Sequence, residues 1–213
     1  MKLIVAFVAL TMAVAFPALA SGPTGIGALK IGMSKEAVEA LQRSDGVYLS
    51  GPLTPRQDKY YTPKPGEDKF ETYIGTPLST ESLEATLTFR GGKLESIEIS
   101  LGGTAEIFEQ AMAQITEKYG PGKVDDKIKE KQCIYKNGAN YKNGATFKKI
   151  SGNVVTKWIE DLSGSEQIET RLLHDLFDTC PSDLRYSSTR IELRYLNFRK
   201  INKSIAEKPK NLF

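Results

Sequence analysis

The stretch LEATLTFRGGKLESIEISL, Leu83 to Leu101, decides how this chain is read. Leu83, Ala85, Leu87 and Phe89 occupy every second position, interleaved with Glu84, Thr86 and Thr88. That is the period of a strand with one apolar face. Gly91-Gly92 follows as a two-residue hairpin signal, because glycine enters the positive-φ region without a Cβ clash. Ile97, Ile99 and Leu101 resume the alternation on the return strand. With Phe70 to Gly75 ahead of it, the stretch predicts a three-stranded antiparallel meander.

Helix signals stand on both sides. Ser34 is placed as an N-cap with Glu36 in the first turn, and Ala37, Val38 and Leu41 form an apolar face through Gln42. Thr104 caps a longer helix whose stripe runs Ile107, Phe108, Ala111, Ile115 and Tyr119 and stops at Gly120-Pro121. Such a stripe is expected to pack on a sheet. Between the first helix and the meander, residues 45–68 hold Pro52, Pro55, Pro63 and Pro65, which predicts an irregular excursion over the surface. Its Tyr60 and Tyr61 are candidate partner contacts, since long loops of exported domains often carry function. Poorly packed filler is the competing reading.

Farther along, Tyr-Lys-Asn-Gly-Ala begins at Tyr135 and again at Tyr141. Asn137-Gly138 and Asn143-Gly144 are type I′ turn signals between extended segments, Cys133 to Lys136 and Ala145 to Ile150. The six-residue period is shorter than a solenoid unit, so it is read as consecutive turns. Tyr135 and Tyr141 remain candidate contacts for a partner. Val154 to Leu162 predicts a strand carrying the only tryptophan, Trp158, and Thr189 to Phe198 another, with Ile191, Leu193 and Tyr195 alternating against charge. Residues 163–181 fit two readings. Ile168, Leu172, Leu173, Leu176 and Phe177 make a helical face capped by Ser165, or a tolerable strand, and helix is preferred. The whole predicts an α+β fold: a tandem αβββ-αβββ layout, helices packed on one face of an antiparallel sheet. Its two similar halves cover about 26–102 and 103–200 of one domain, 21–213, with a frayed basic C-terminus.

The N-terminus indicates the compartment. Lys2, the apolar run Leu3 to Phe16 and the small-x-small triplet Ala18-Leu19-Ala20 read as a signal peptide over 1–20, cleaved near Ala20-Ser21. The run is too short to be a membrane span, and no later stretch is apolar enough for one. A periplasmic or secreted location is expected. Cys133 and Cys180, the only cysteines, would then form a disulfide, with two free thiols as the alternative. Two cysteines and one histidine exclude a Cys/His zinc site by count.

Charge is unevenly spread. Without the leader there are 28 Lys+Arg (29 less Lys2) against 26 Asp+Glu. Residues 185–213 alone carry eight basic and two acidic side chains, a net +6, so 21–184 is −4. Arg194, Arg199, Lys200 and Lys203 are therefore candidate contacts for a polyanion, an anionic glycan or a lipid head group. Edge protection by solvated basic residues is the plainer reading. Nucleic acid is not expected outside the cytoplasm.

The stretch Leu29-Lys30-Ile31-Gly32-Met33-Ser34-Lys35-Glu36-Ala37-Val38 resembles the "iGMt.eeV" signature of small bacterial envelope modules. These include the SmpA/OmlA outer-membrane assembly lipoproteins and the structurally related β-lactamase inhibitor proteins. Leu87-x-Phe89-x-Gly91-x-Lys93-Leu94-x-x-Ile97 fits the same kind of module. The resemblance implies a helix-on-sheet fold that works by binding other macromolecules. No cysteine follows the apolar leader, so a lipid anchor is not carried over.

Enzyme readings find little to stand on. His174 is the sole histidine, beside Asp175, and no Gly-x-Ser-x-Gly elbow is present to make it part of a triad. Asp125-Asp126 and Glu160-Asp161 are adjacent, and on strands adjacent side chains point to opposite faces. No phosphate loop or dinucleotide fingerprint occurs. No catalytic, cofactor-binding or metal-ligating residue is assigned. The expected function is a non-catalytic periplasmic or secreted module that recognises a cell-envelope protein. The alternatives are an anionic glycan or lipid head-group binder using the basic C-terminal region, and a hydrolase with an unrecognised site.

Overall fold

The computed structural model describes residues 23–56, 64–102, 104–134, 148–162, 166–180 and 187–199. In chain order it runs β1 (Gly25–Ile26), β2 (Leu29–Lys30), α1 (Lys35–Glu39), a 3-10 turn (Arg43–Asp45), β3 (Tyr48–Leu49) and β4 (Thr54–Pro55). Then come β5 (Glu67–Thr76), β6 (Ser79–Arg90), β7 (Lys93–Gly102) and α2 (Ala105–Tyr119). The chain continues through β8 (Lys123–Asp126), β9 (Lys129–Gln132), β10 (Lys148–Asp161), β11 (Glu166–Asp178) and β12 (Ser187–Arg199).

The stretch quoted above forms the β6–β7 hairpin. Arg90 pairs with Lys93, and Gly91 and Gly92 turn the chain at φ of 56° and 75°. β5 pairs antiparallel with β6, and β10, β11 and β12 form a second meander of longer strands. The two meanders join at one seam, where β12 lies antiparallel to β7 with Leu193 opposite Ile99 and Tyr195 opposite Ile97. The result is a single ten-stranded sheet in the order β3-β5-β6-β7-β12-β11-β10-β8, with β4 also on β5 and β9 also on β10.

The long strands share one alternation, interrupted by register shifts at Ile74/Thr76, Thr88/Phe89 and Ile191/Glu192. Ile74, Leu83, Ala85, Leu87, Ile97, Ile99, Ile168, Leu172, Leu193 and Tyr195 all point to one side and are buried. Ala111 and Ile115 of α2 and Val38 of α1 join that core, as do Ile26 and Leu29 of the β1–β2 hairpin. Burying such side chains contributes about 1.5–3 kcal/mol each. Ser34 caps α1 by accepting from the Ala37 amide at 3.2 Å, and Thr104 stands at the N-cap of α2.

Three expectations need correction. The α+β class, with helices packed on one face of an αβββ-αβββ sheet, does not hold: the described residues are mostly antiparallel β, 60% strand against 16% helical, with two α-helices among them. α1 is five residues long, so its burial amounts to little more than Val38. The preferred helix over 163–181 is instead strand β11 across Glu166–Asp178, because its backbone is paired along both sides, to β10 and to β12. The excursion over 45–68 is partly ordered as edge strands β3 and β4 on β5. Its Tyr60 and Tyr61 lie outside the described residues.

Cys133 and Cys180 form a disulfide with Cα atoms 5.7 Å apart. It ties the end of β9 to the end of β11, and cross-linking positions 47 apart is worth roughly 4 kcal/mol through the unfolded state. No described helix is long and apolar enough to cross a membrane, which says nothing about strands.

Candidate functional site: the charged face of the sheet

Alternation that buries one face must present the other. Between the buried Ile168, Thr170 and Leu172 of β11 stand Glu169 and Arg171, and beside Leu193 and Tyr195 of β12 stand Glu192 and Arg194. The described helices and the β1–β2 hairpin all contribute to the apolar side. Among the described residues no helix or second sheet layer lies across the charged side.

Strand register sets the charges in rows. Lys157 of β10 stands opposite Arg171, and Arg171 stands opposite Arg194. Like charges directly opposed across strands are unfavourable by themselves. Here carboxylates from the neighbouring rows offset them. Glu169 pairs with Lys157 at 3.6 Å and with Arg171, while Glu192 pairs with Arg194. Glu98 of β7 is reached from both sides, by Arg194 at 3.8 Å and by Lys69 of β5 at 3.7 Å. The two classes of charge differ in depth. The Glu169 and Glu192 side chains are 12% and 14% exposed, against 32% for Lys157, 31% for Arg171 and 30% for Arg194. Glu169 and Glu192 thus lie deeper than the cations they pair with, whereas Glu98, at 31%, is as exposed as Arg194.

At one end of this face Arg190 donates to Asp175 through Nη2 at 2.7 Å and Nε at 3.1 Å, and that hydrogen bond raises its pKa above the ordinary arginine value. A cavity of about 290 Å³ lies between β6, β7 and β12, lined by Arg56, Glu84, Thr86, Glu98, Arg190 and Arg194. Tyr73 and Ile159 on the same face are 56% and 55% exposed, leaving apolar surface beside the charges. A larger cleft of about 710 Å³ opens at the β8 edge, between Tyr119, Pro121, Val124, Trp158 and Ile159. The Trp158 indole is fixed there by donating to the Gly120 carbonyl at 2.9 Å.

The predicted site residues scatter. Arg194 sits in the middle of the charged face. Arg199 ends β12, its backbone opposite Glu166, while Lys200 and Lys203 lie outside the described residues, as do Tyr135 and Tyr141. The structure adds Lys157, Arg171, Glu169, Glu192 and Glu98, none of which sequence reasoning singled out. They come from four separate strands, β7, β10, β11 and β12, and their only sequence signal is alternation against buried neighbours.

His174 lies on the opposite, apolar side. Its ring packs on Phe108 of α2, centroids 4.8 Å apart, and burial lowers its pKa while Asp175 acts weakly the other way. Its Nε2 and the Thr156 hydroxyl are buried without a hydrogen-bond partner among the described residues. Tyr195, buried at the seam, has its phenol pKa pushed up by burial. No group of three or more His, Cys, Asp or Glu side chains among the described residues is arranged to hold a metal ion. No family model, curated protein or solved structure matches this chain.

Proposed function

We propose that this protein is a non-catalytic periplasmic or secreted interaction module that recognises a protein of the cell envelope with the charged face of its sheet. The reading is carried by one observation: the registered row Lys157–Arg171–Arg194, whose cations are more exposed than Glu169 and Glu192, two of the carboxylates that balance them. Like charges opposed on adjacent strands depart from the usual cross-strand pairing even where carboxylates offset them, and local rules are most often broken where a protein works. Mutual ion pairing holds these long side chains in place before a partner arrives. That lowers the ordering entropy lost on binding. Mixed charge over a broad surface supplies specificity and orientation more than raw affinity. Tyr73 and Ile159 offer the apolar contacts such an interface needs.

The test uses the full-length mature protein immobilised as bait for cross-linked envelope extract, alongside a Lys157→Glu/Arg194→Glu variant and a Glu117→Lys variant on the exposed side of α2. A saturable protein partner lost only in the first variant is the expected result. Capture that ignores the first variant refutes the reading. Retention of dextran sulfate in place of a protein, weakening steeply with salt, moves the assignment to a polyanion binder.

A further inference from the structure

We propose that the Cys133–Cys180 disulfide is a redox-operated latch on the outer edge of β10. β10 is long, and its outer side is closed by two short strands in succession. β9 covers Lys148 to Ser151, and β8 covers Val154 to Lys157. The side chains of β9, Lys129 to Gln132, are all exposed, so no burial of apolar surface holds that strand down. Its described attachments are the backbone ladder to β10 and the Lys148–Glu130 ion pair, both of whose side chains are half-exposed. An exposed pair of that kind contributes little.

The disulfide supplies the missing anchor. Cys133 directly follows β9 and is buried, 2% exposed, although it lies apart from the main hydrophobic core. Cys180 follows β11, the strand on the other side of β10. The bond therefore reaches from one neighbour of β10 to the other and holds β9 at the sheet edge without any side-chain packing of its own.

Opening the latch needs two electrons and two protons from a dithiol. A thiolate of the dithiol attacks Sγ of Cys180, the less buried of the two residues, and the Cys133 thiolate leaves and takes a proton. The second thiol of the reductant then resolves the mixed disulfide, leaving two protein thiols and an oxidised dithiol. β9 loses its anchor, and the β10 edge from Lys148 to Ser151 becomes an unpaired row of backbone groups, the kind of edge on which an added strand can form. The meander of β5 to β7 and the seam to β12 share none of these attachments and stay closed.

The experiment is hydrogen exchange followed by mass spectrometry on the intact protein, oxidised, treated with dithiothreitol, and reoxidised, with iodoacetamide labelling to count open thiols. Reduction should raise exchange in segments 129–132 and 148–151 by roughly tenfold or more beyond any rise in β6 and β7, which report the global loss of the cross-link, and reverse on reoxidation. Protection that persists at 148–151 with both thiols labelled overturns the proposal. So does a rise shared equally by β6 and β7, since the disulfide would then hold the whole fold and not one edge. Failure of protection to return on reoxidation overturns it as well.

Discussion

Replacing Leu193 by Ala tests how the two meanders are joined. Leu193 is 1% exposed, faces the core opposite Leu172 on β11 and Ile99 on β7, and so belongs to the seam that makes one sheet out of two. Truncating it removes three methyl-type carbons from a site bounded by neighbours on both sides. Core Leu→Ala changes cost about 2–5 kcal/mol, and a site fixed by paired strands collapses poorly, so about 3 kcal/mol is expected. With a urea slope of about 2 kcal/mol/M, the unfolding midpoint should fall by about 1.5 M. The control is the next residue. Arg194 points to the charged face and pairs with Glu192 and Glu98, and Arg194→Ala should cost less than about 1 kcal/mol. Unfolding is followed both by Trp158 fluorescence, which reports on the second meander, and by far-UV circular dichroism, which reports on the whole sheet. Comparable losses in the two variants would contradict the assignment of faces. Separate transitions by the two probes in the parent protein would contradict the single continuous sheet.

Gly152 stands at φ +132° where β10 passes the β8–β9 corner, and a Cβ there would lie 2.3 Å from the Lys127 carbonyl oxygen. Gly152→Ala should therefore cost about 2 kcal/mol or more in thermal unfolding, and a neutral result would mean the corner is not this tight. Trp158→Phe removes the donor to the Gly120 carbonyl and should cost about 1–3 kcal/mol by urea unfolding, whereas no loss would mean that bond is absent in solution. The folded state lowers the His174 pKa from its ordinary 6.5, so it favours the neutral ring. The contribution of His174 is thus complete above about pH 6.5 and shrinks as pH falls below it. His174→Phe keeps a ring against Phe108 and should lose less stability than the parent between about pH 7.5 and about pH 5, while an identical pH profile would show that His174 does not titrate differently on folding.

Much of the β-structure was legible because it is local. The β6–β7 hairpin needs only alternation and two glycines, and α2 needs only a stripe between Thr104 and Gly120. β11 was not legible in the same way. Ile168, Leu172 and Leu176 are spaced by four, which satisfies a helix turn and a strand face equally. The intervening inward positions that would have broken the tie are Thr170 and His174, polar residues that hide the alternation. Thr170 is fully buried, and its hydroxyl donates to the Pro23 carbonyl, 147 residues away. The α+β expectation failed for a related reason. Helix signals at 35–39 and 105–119 mark where helices start and stop, but not how little of the molecule they make up beside strands as long as β10 to β12.

The charged face was hidden for the opposite reason. Lys157, Arg171 and Arg194 each look like an ordinary solvated position on its own strand, and only interstrand register aligns them. What the amino-acid order determined unaided is what depends on neighbours within a few residues: the turns, the caps and the alternating strands. The joining of β7 to β12, the conversion of 166–178 into a strand, and the depth of Glu169 and Glu192 beside their cations were decided by tertiary structure. Each depends on backbone groups from distant segments finding one another, and no local pattern records which segment that will be.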